Sequence, residues 1–186
     1  MKWRVWASTA STVENGWQSD FPDWSKLIDA ACEVMKKGLV DSKTLNLLEE
    51  AWAISEEGEE LSDFASEHIE ESWAALQALA NSPLPACRWQ VYHAAAAAGA
   101  KAEELLRSGL SDVDGYCRRR AFLALAQLGP KDAKSLAEQA MGDSDPYMRS
   151  ASIKMAASTG EEEYIDAVRR RLRSDREEMV RNAAHR

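Results

Sequence analysis

Cysteine is scarce in this 186-residue chain and poorly placed for cross-linking: Cys32, Cys87 and Cys117 are odd in number, widely separated and never arranged as Cys-x-x-Cys. That pattern excludes a disulfide framework and supplies no Cys-based zinc site. Long hydrophobic runs are missing too. Nothing approaches the roughly 20 apolar residues of a membrane span, and MKWRVWASTASTVENG lacks the apolar core of a secretory signal. A cytoplasmic protein with no membrane contact is the expectation. Catalytic signatures are absent: no HExxH, no phosphate-binding glycine loop and no GxSxG, while His68, His93 and His185 fall in separate segments. His68 reads as a core histidine on the apolar side of its helix. No catalytic residue, metal ligand or cofactor is expected.

Basic charge is missing from one particular region. Residues 1–80 carry 6 Lys+Arg against 16 Asp+Glu, whereas residues 81–186 carry 17 against 15, so the net charge of −8 is concentrated in the first half. Between Glu49 and Glu71 stand ten acids and no base. Such a segment repels nucleic-acid phosphates and favours a partner protein with a basic surface. The apolar content of 45% is nonetheless enough for a continuous core.

What the second half does contain is a repeat. Arg88, Arg118, Arg149 and Arg181 recur at spacings of 30, 31 and 32, and eleven residues after each of the first three stands a glycine, Gly99, Gly129 or Gly160. The residue before each arginine is apolar (Cys87, Cys117, Met148, Val180), and the fourth after it is Tyr92, Phe122, Ile153 or His185; both positions read as core columns, which makes Cys87 and Cys117 packing residues. Upstream, Ala102, Leu105 and Gly109 align with Ala133, Leu136 and Ala140, then with Ile165, Val168 and Leu172, an amphipathic helical stripe. The glycines suit helix C-termini, and Pro85 and Pro146 suit first turns. Each unit is helix, short turn, helix.

Six residues before the last three arginines stand Asp112, Asp143 and Asp175, with Ser82 at the first. This pattern resembles the short HEAT-like repeats also found in phycobilin lyases, over about residues 81–186. The resemblance implies an all-α solenoid of stacked helix pairs, in which Asp112 with Arg118, Asp143 with Arg149 and Asp175 with Arg181 form a polar ladder between neighbouring repeats. It also implies that second helices line a concave face, so that Trp89, His93, Arg119, Leu123 and Lys154 would line a groove. Trp and Arg are the strongest interface anchors.

The first half reads as an N-terminal cap with helical hairpins over residues 1–80, continuous with the repeats of residues 81–186. Helices are expected over Asp23–Lys37, Ser42–Ser55 and, after a break at Gly58, Glu59–Ala80; residues 1–20 read as an irregular cap. On a helical wheel Glu56, Glu60, Asp63, Glu67, Glu70 and Glu71 fall within about a third of a turn, opposite Leu61, Ala65 and Ile69: one continuous acidic stripe if helix persists through Gly58, and a stripe from Glu60 onward if it does not.

Two classes of function follow. The first is a non-catalytic protein-binding module: a bacterial immunity-type inhibitor masking a basic toxin domain, or a general adaptor. The second is a small-molecule-binding assistant enzyme, which the phycobilin-lyase resemblance would allow. The oligomeric state is not readable from the chain.

Overall fold

A computed structural model describes residues 21–38, 41–55 and 59–185. The cap of residues 1–20, the break at Gly58, and Glu56 lie outside the described residues. Within them every regular element is helical. Helices α1 (Trp24–Lys36) and α2 (Ser42–Ile54) form the first hairpin; α3 (Glu60–Glu67), α4 (Ile69–Leu79) and α5 (Pro85–Ala95) follow. A 3₁₀ segment, Ala96–Ala102, leads into α6 (Glu103–Gly109) and α7 (Gly115–Gln127), then α8 (Ala133–Met141) and α9 (Pro146–Ala157), then α10 (Glu162–Leu172) and α11 (Glu178–Ala183).

From α6 onward the helices pair as the repeat demands. The first helices α6 and α8 pack on their own second helices, α10 packs on α9, and the second helices α5, α7, α9 and α11 pack one on the next, forming a continuous layer. The apolar columns supply the core: Ala102, Ala133, Leu136, Ala140, Ile165, Val168 and Leu172 are buried, as are Cys87, Cys117, Met148 and Val180. Burial pushes both the Cys87 and the Cys117 thiols up to about 12, which suits packing rather than nucleophilic work. One core column ends early. Tyr92 and Phe122 are buried, Ile153 is half-buried and His185 is exposed. Gly99, Gly129 and Gly160 adopt positive φ of 57°, 61° and 69°; Gly129 and Gly160 follow the ends of α7 and α9 as the stops expected of them, whereas Gly99, with ψ −136°, kinks the 3₁₀ segment that follows α5.

The ladder forms in a different register from the spacing in sequence. Each arginine closes its own turn through backbone carbonyls: Arg88 Nη1 donates to Ser82 O (2.8 Å), Arg118 Nη1 to Asp112 O (2.7 Å), Arg149 Nη1 to Asp143 O (3.0 Å) and Arg181 Nη1 to Asp175 O (2.7 Å). The acid's carboxylate instead faces the arginine of the preceding repeat. Arg88 makes a two-pronged bond to Asp112 (2.7 and 2.8 Å), and Arg149 makes the same bond to Asp175 (2.8 and 2.9 Å). The acid also organises its own loop, since Asp112, Asp143 and Asp175 each accept the N–H two residues on, and Ser82 Oγ does this in the first unit. Among the described residues Arg118 makes no ion pair with Asp143, so the middle rung rests on carbonyls alone.

The rung carboxylates give the fold a pH dependence of known sign. The Arg149 hydrogen bond lowers Asp175 to about 2; at Asp112 burial is the largest single influence and raises the carboxyl, but the bonds from Arg88, the Asp114 N–H and Tyr92 together with the Arg88 charge outweigh it, so that it too is lowered. A carboxylate lowered by folding contributes stability that is complete above its unfolded value near 3.9 and lost as pH falls through the folded value. Urea melts should therefore weaken from about pH 4 toward about pH 2, and Asp175→Asn should flatten that decline. An equally steep decline in Asp175→Asn would contradict this assignment.

The third expected helix is broken. His68 has φ −115° and ψ 48°, which separates α3 from α4 and stacks its ring on Phe64 at 4.5 Å; it is half-buried at a bend rather than a core histidine within a helix. Both pieces pack on the 11-residue α5. A straight helix over residues 60–79 would extend about 30 Å, against about 16 Å for α5, so the bend keeps both halves in contact with it. Gln90, buried on α5, ties this region to the hairpin by donating to Trp52 O (2.7 Å).

Candidate functional site

Along the layer of second helices lie two adjoining hollows that share Leu123 and Lys154. One, of about 410 Å³, is bounded by His93, Arg120, Leu123, Gln127, Lys154 and Ser158 among others; the second, of about 720 Å³, by Arg119, Tyr147, Ser150, Ile153, Arg169, Met179 and Asn182 among others. Together they form a groove running from α5 across α7 and α9 to α11. Neither hollow is lined by an Asp or Glu.

Of the residues expected to line the groove, His93, Arg119, Leu123 and Lys154 do so. Trp89 does not. It is only 7% exposed, with the Arg120 guanidinium over its ring at 4.7 Å and Tyr116 edge-on at 5.5 Å, so it supports the wall from behind. Among the groove residues that escape the expectation are Arg120, Tyr147 and Arg169. Tyr116 and Tyr147 stand two residues before Arg118 and Arg149, and Met179 stands two before Arg181; that column was the signal for the rim. Arg119 lies over both tyrosines, 4.9 Å from Tyr116 and 4.6 Å from Tyr147, so Trp89, Arg120, Tyr116, Arg119 and Tyr147 form one alternating stack. Such stacking restrains long side chains that would otherwise lose entropy on binding.

The acidic stripe is not continuous. The bend at His68 divides it, Glu60 turns inward to accept from Trp24 Nε1 (3.2 Å), and Glu70 is paired with Lys101 at 2.7 Å. Asp63, Glu67 and Glu71 remain exposed. At the α5 end of the groove Glu59, Asp63 and His93 bring one ligand-type atom each within 4.8 Å of one another, and His93 Nε2 lies 3.8 Å from a Glu59 oxygen. The His93 imidazole thus faces the half-buried Glu59 carboxylate and the exposed Asp63 carboxylate.

Residues 103–186 match the family model described as HEAT repeats, a stretch that takes in α6 to α11. With the stacked pairs and the ladder, this identifies residues 103–186 as HEAT-like helical repeats. No curated protein and no solved structure matches the chain. HEAT repeats generally mediate protein–protein interactions and are typically non-catalytic. No described helix is long and apolar enough to cross a membrane.

Proposed function

We propose that this chain is a non-catalytic protein-binding module that receives a segment of its partner in the groove over α7, α9 and α11. The observation that carries this reading is the continuity of the two hollows across successive second helices, with an apolar floor at Leu123 and Ile153 and an arginine–tyrosine rim. Interfaces concentrate their binding energy in such aromatic and arginine anchors around a desolvated centre. A general adaptor would use the groove in this way. A photo-crosslinking residue at Ser150 or Lys154 should capture the partner, whereas the same residue at Glu67 should not. Capture from Glu67 and Glu71 alone would remove the groove reading.

A second reading keeps the acidic outer face. Asp63, Glu67 and Glu71 are exposed and make no ion pair among the described residues, which supports docking of a basic surface, as in an immunity-type inhibitor that masks a basic toxin domain. Complementary fields would speed such an encounter and salt would slow it, over a Debye length of about 8 to 10 Å.

A further inference from the structure

The groove is cationic in an acidic protein. Arg119, Arg120, Lys154 and Arg169 converge on the two hollows, although the chain as a whole carries a net charge of −8. Arg88 and Arg149 are closed on carboxylates at 2.7 and 2.8 Å. By contrast, Arg119, Arg120 and Lys154 have no ion pair among the described residues. Arg169 has only a long contact, 3.7 Å to Asp166, and its buried Nε has no acceptor.

Resting on the groove reading above, we infer that the segment bound there is acidic: a stretch of partner protein in which carboxylate side chains alternate with apolar ones. The guanidinium groups of Arg119 and Arg120, held over aromatic rings, keep N–H groups for carboxylates and are already restrained before binding. Leu123 and Ile153 offer the intervening apolar side chains a floor. A nucleic acid is a poorer fit. Glu59 and Asp63 stand at the His93 end of the groove, and a polyanion continuing past that end would meet like charge.

The test is fluorescence anisotropy on the full chain with a short labelled peptide of alternating glutamate and leucine. Matched serine–leucine and lysine–leucine peptides and a single-stranded oligonucleotide serve as comparisons. The glutamate peptide should bind in preference to all three and weaken as salt rises. Lys154→Glu alone should weaken it, and Arg119→Glu with Lys154→Glu should weaken it by at least about ten-fold, with an unchanged thermal melt showing that the fold is intact. Glu67→Lys should leave it unchanged. Tighter binding of the lysine peptide or the oligonucleotide, or full affinity in Lys154→Glu, would overturn the acidic assignment. Ser150→Trp, which fills the larger hollow, separates the two claims. If it blocks serine and glutamate peptides that bind equally well, the groove stands and the acidic preference falls; if the glutamate peptide binds it undiminished, the groove reading itself falls.

Discussion

Arg149→Ala should lower the free energy of unfolding by about 3 kcal/mol, several times the effect of any exposed lysine in the same repeat. The arginine side chain is 6% exposed, its Nε and Nη2 hold Asp175 across the repeat boundary, and its Nη1 bonds both Asp143 O and Ser144 O. Truncation strands a carboxylate that is itself only 9% exposed, together with two turn carbonyls, and an uncompensated buried charge is the costly part of a broken pair. Asp175→Ala in the same background should add much less than it does alone, because the two residues act as one unit. Arg118→Ala should cost only about 1 kcal/mol, since that arginine bonds carbonyls and closes no ion pair among the described residues. Exposed Lys154→Ala should cost under about 0.5 kcal/mol. Urea melts placing Arg149→Ala and Lys154→Ala at the same midpoint would show that the arginine column does not join the repeats.

Gly109→Ala should also destabilise, by about 2 kcal/mol, although alanine is the better helix former. A Cβ at this position would lie 2.6 Å from Ala121 Cβ and 2.8 Å from Tyr92 Cε1. Neither neighbour yields easily: Ala121 is fixed on α7, and the Tyr92 hydroxyl is anchored to the rung acid Asp112 at 3.1 Å. Thermal melts should show the loss, and Tyr92→Ala combined with Gly109→Ala should recover part of the alanine penalty relative to Tyr92→Ala alone. A Gly109→Ala protein as stable as the parent would mean that α6 and α7 are not packed this closely.

Much of the array was legible because a repeat must bury the same columns each time. The glycine stops, the N-terminal prolines and the apolar residue before each arginine all follow from helix chemistry that needs no partner. The register of the ladder was harder to see. An acid six residues before an arginine reads as that arginine's partner, but the intervening turn aims the acid's carbonyl at its own arginine and its carboxylate at the previous repeat. The bend at His68 carries no glycine or proline and arises from packing two short helices on one neighbour, a tertiary cause invisible in local sequence. For the same reason the acidic stripe looked continuous on a wheel, while the fold turns Glu60 toward Trp24 and pairs Glu70 with Lys101. The groove was half legible. A concave face of second helices gave His93, Arg119, Leu123 and Lys154, but Arg169 reaches the groove from a first helix, and Trp89 is covered by an arginine one repeat away.

Hydrogen–deuterium exchange of the full chain with and without its bound partner tests the central claim most directly, because it reports which backbone becomes protected without altering any residue. The account predicts new protection at the groove-facing parts of α7 and α9, around residues 119–127 and 147–157, with α3 and the start of α4 unchanged. Protection confined to residues 60–71, with α7 and α9 exchanging as in the free protein, would contradict it and place the interface on the acidic face.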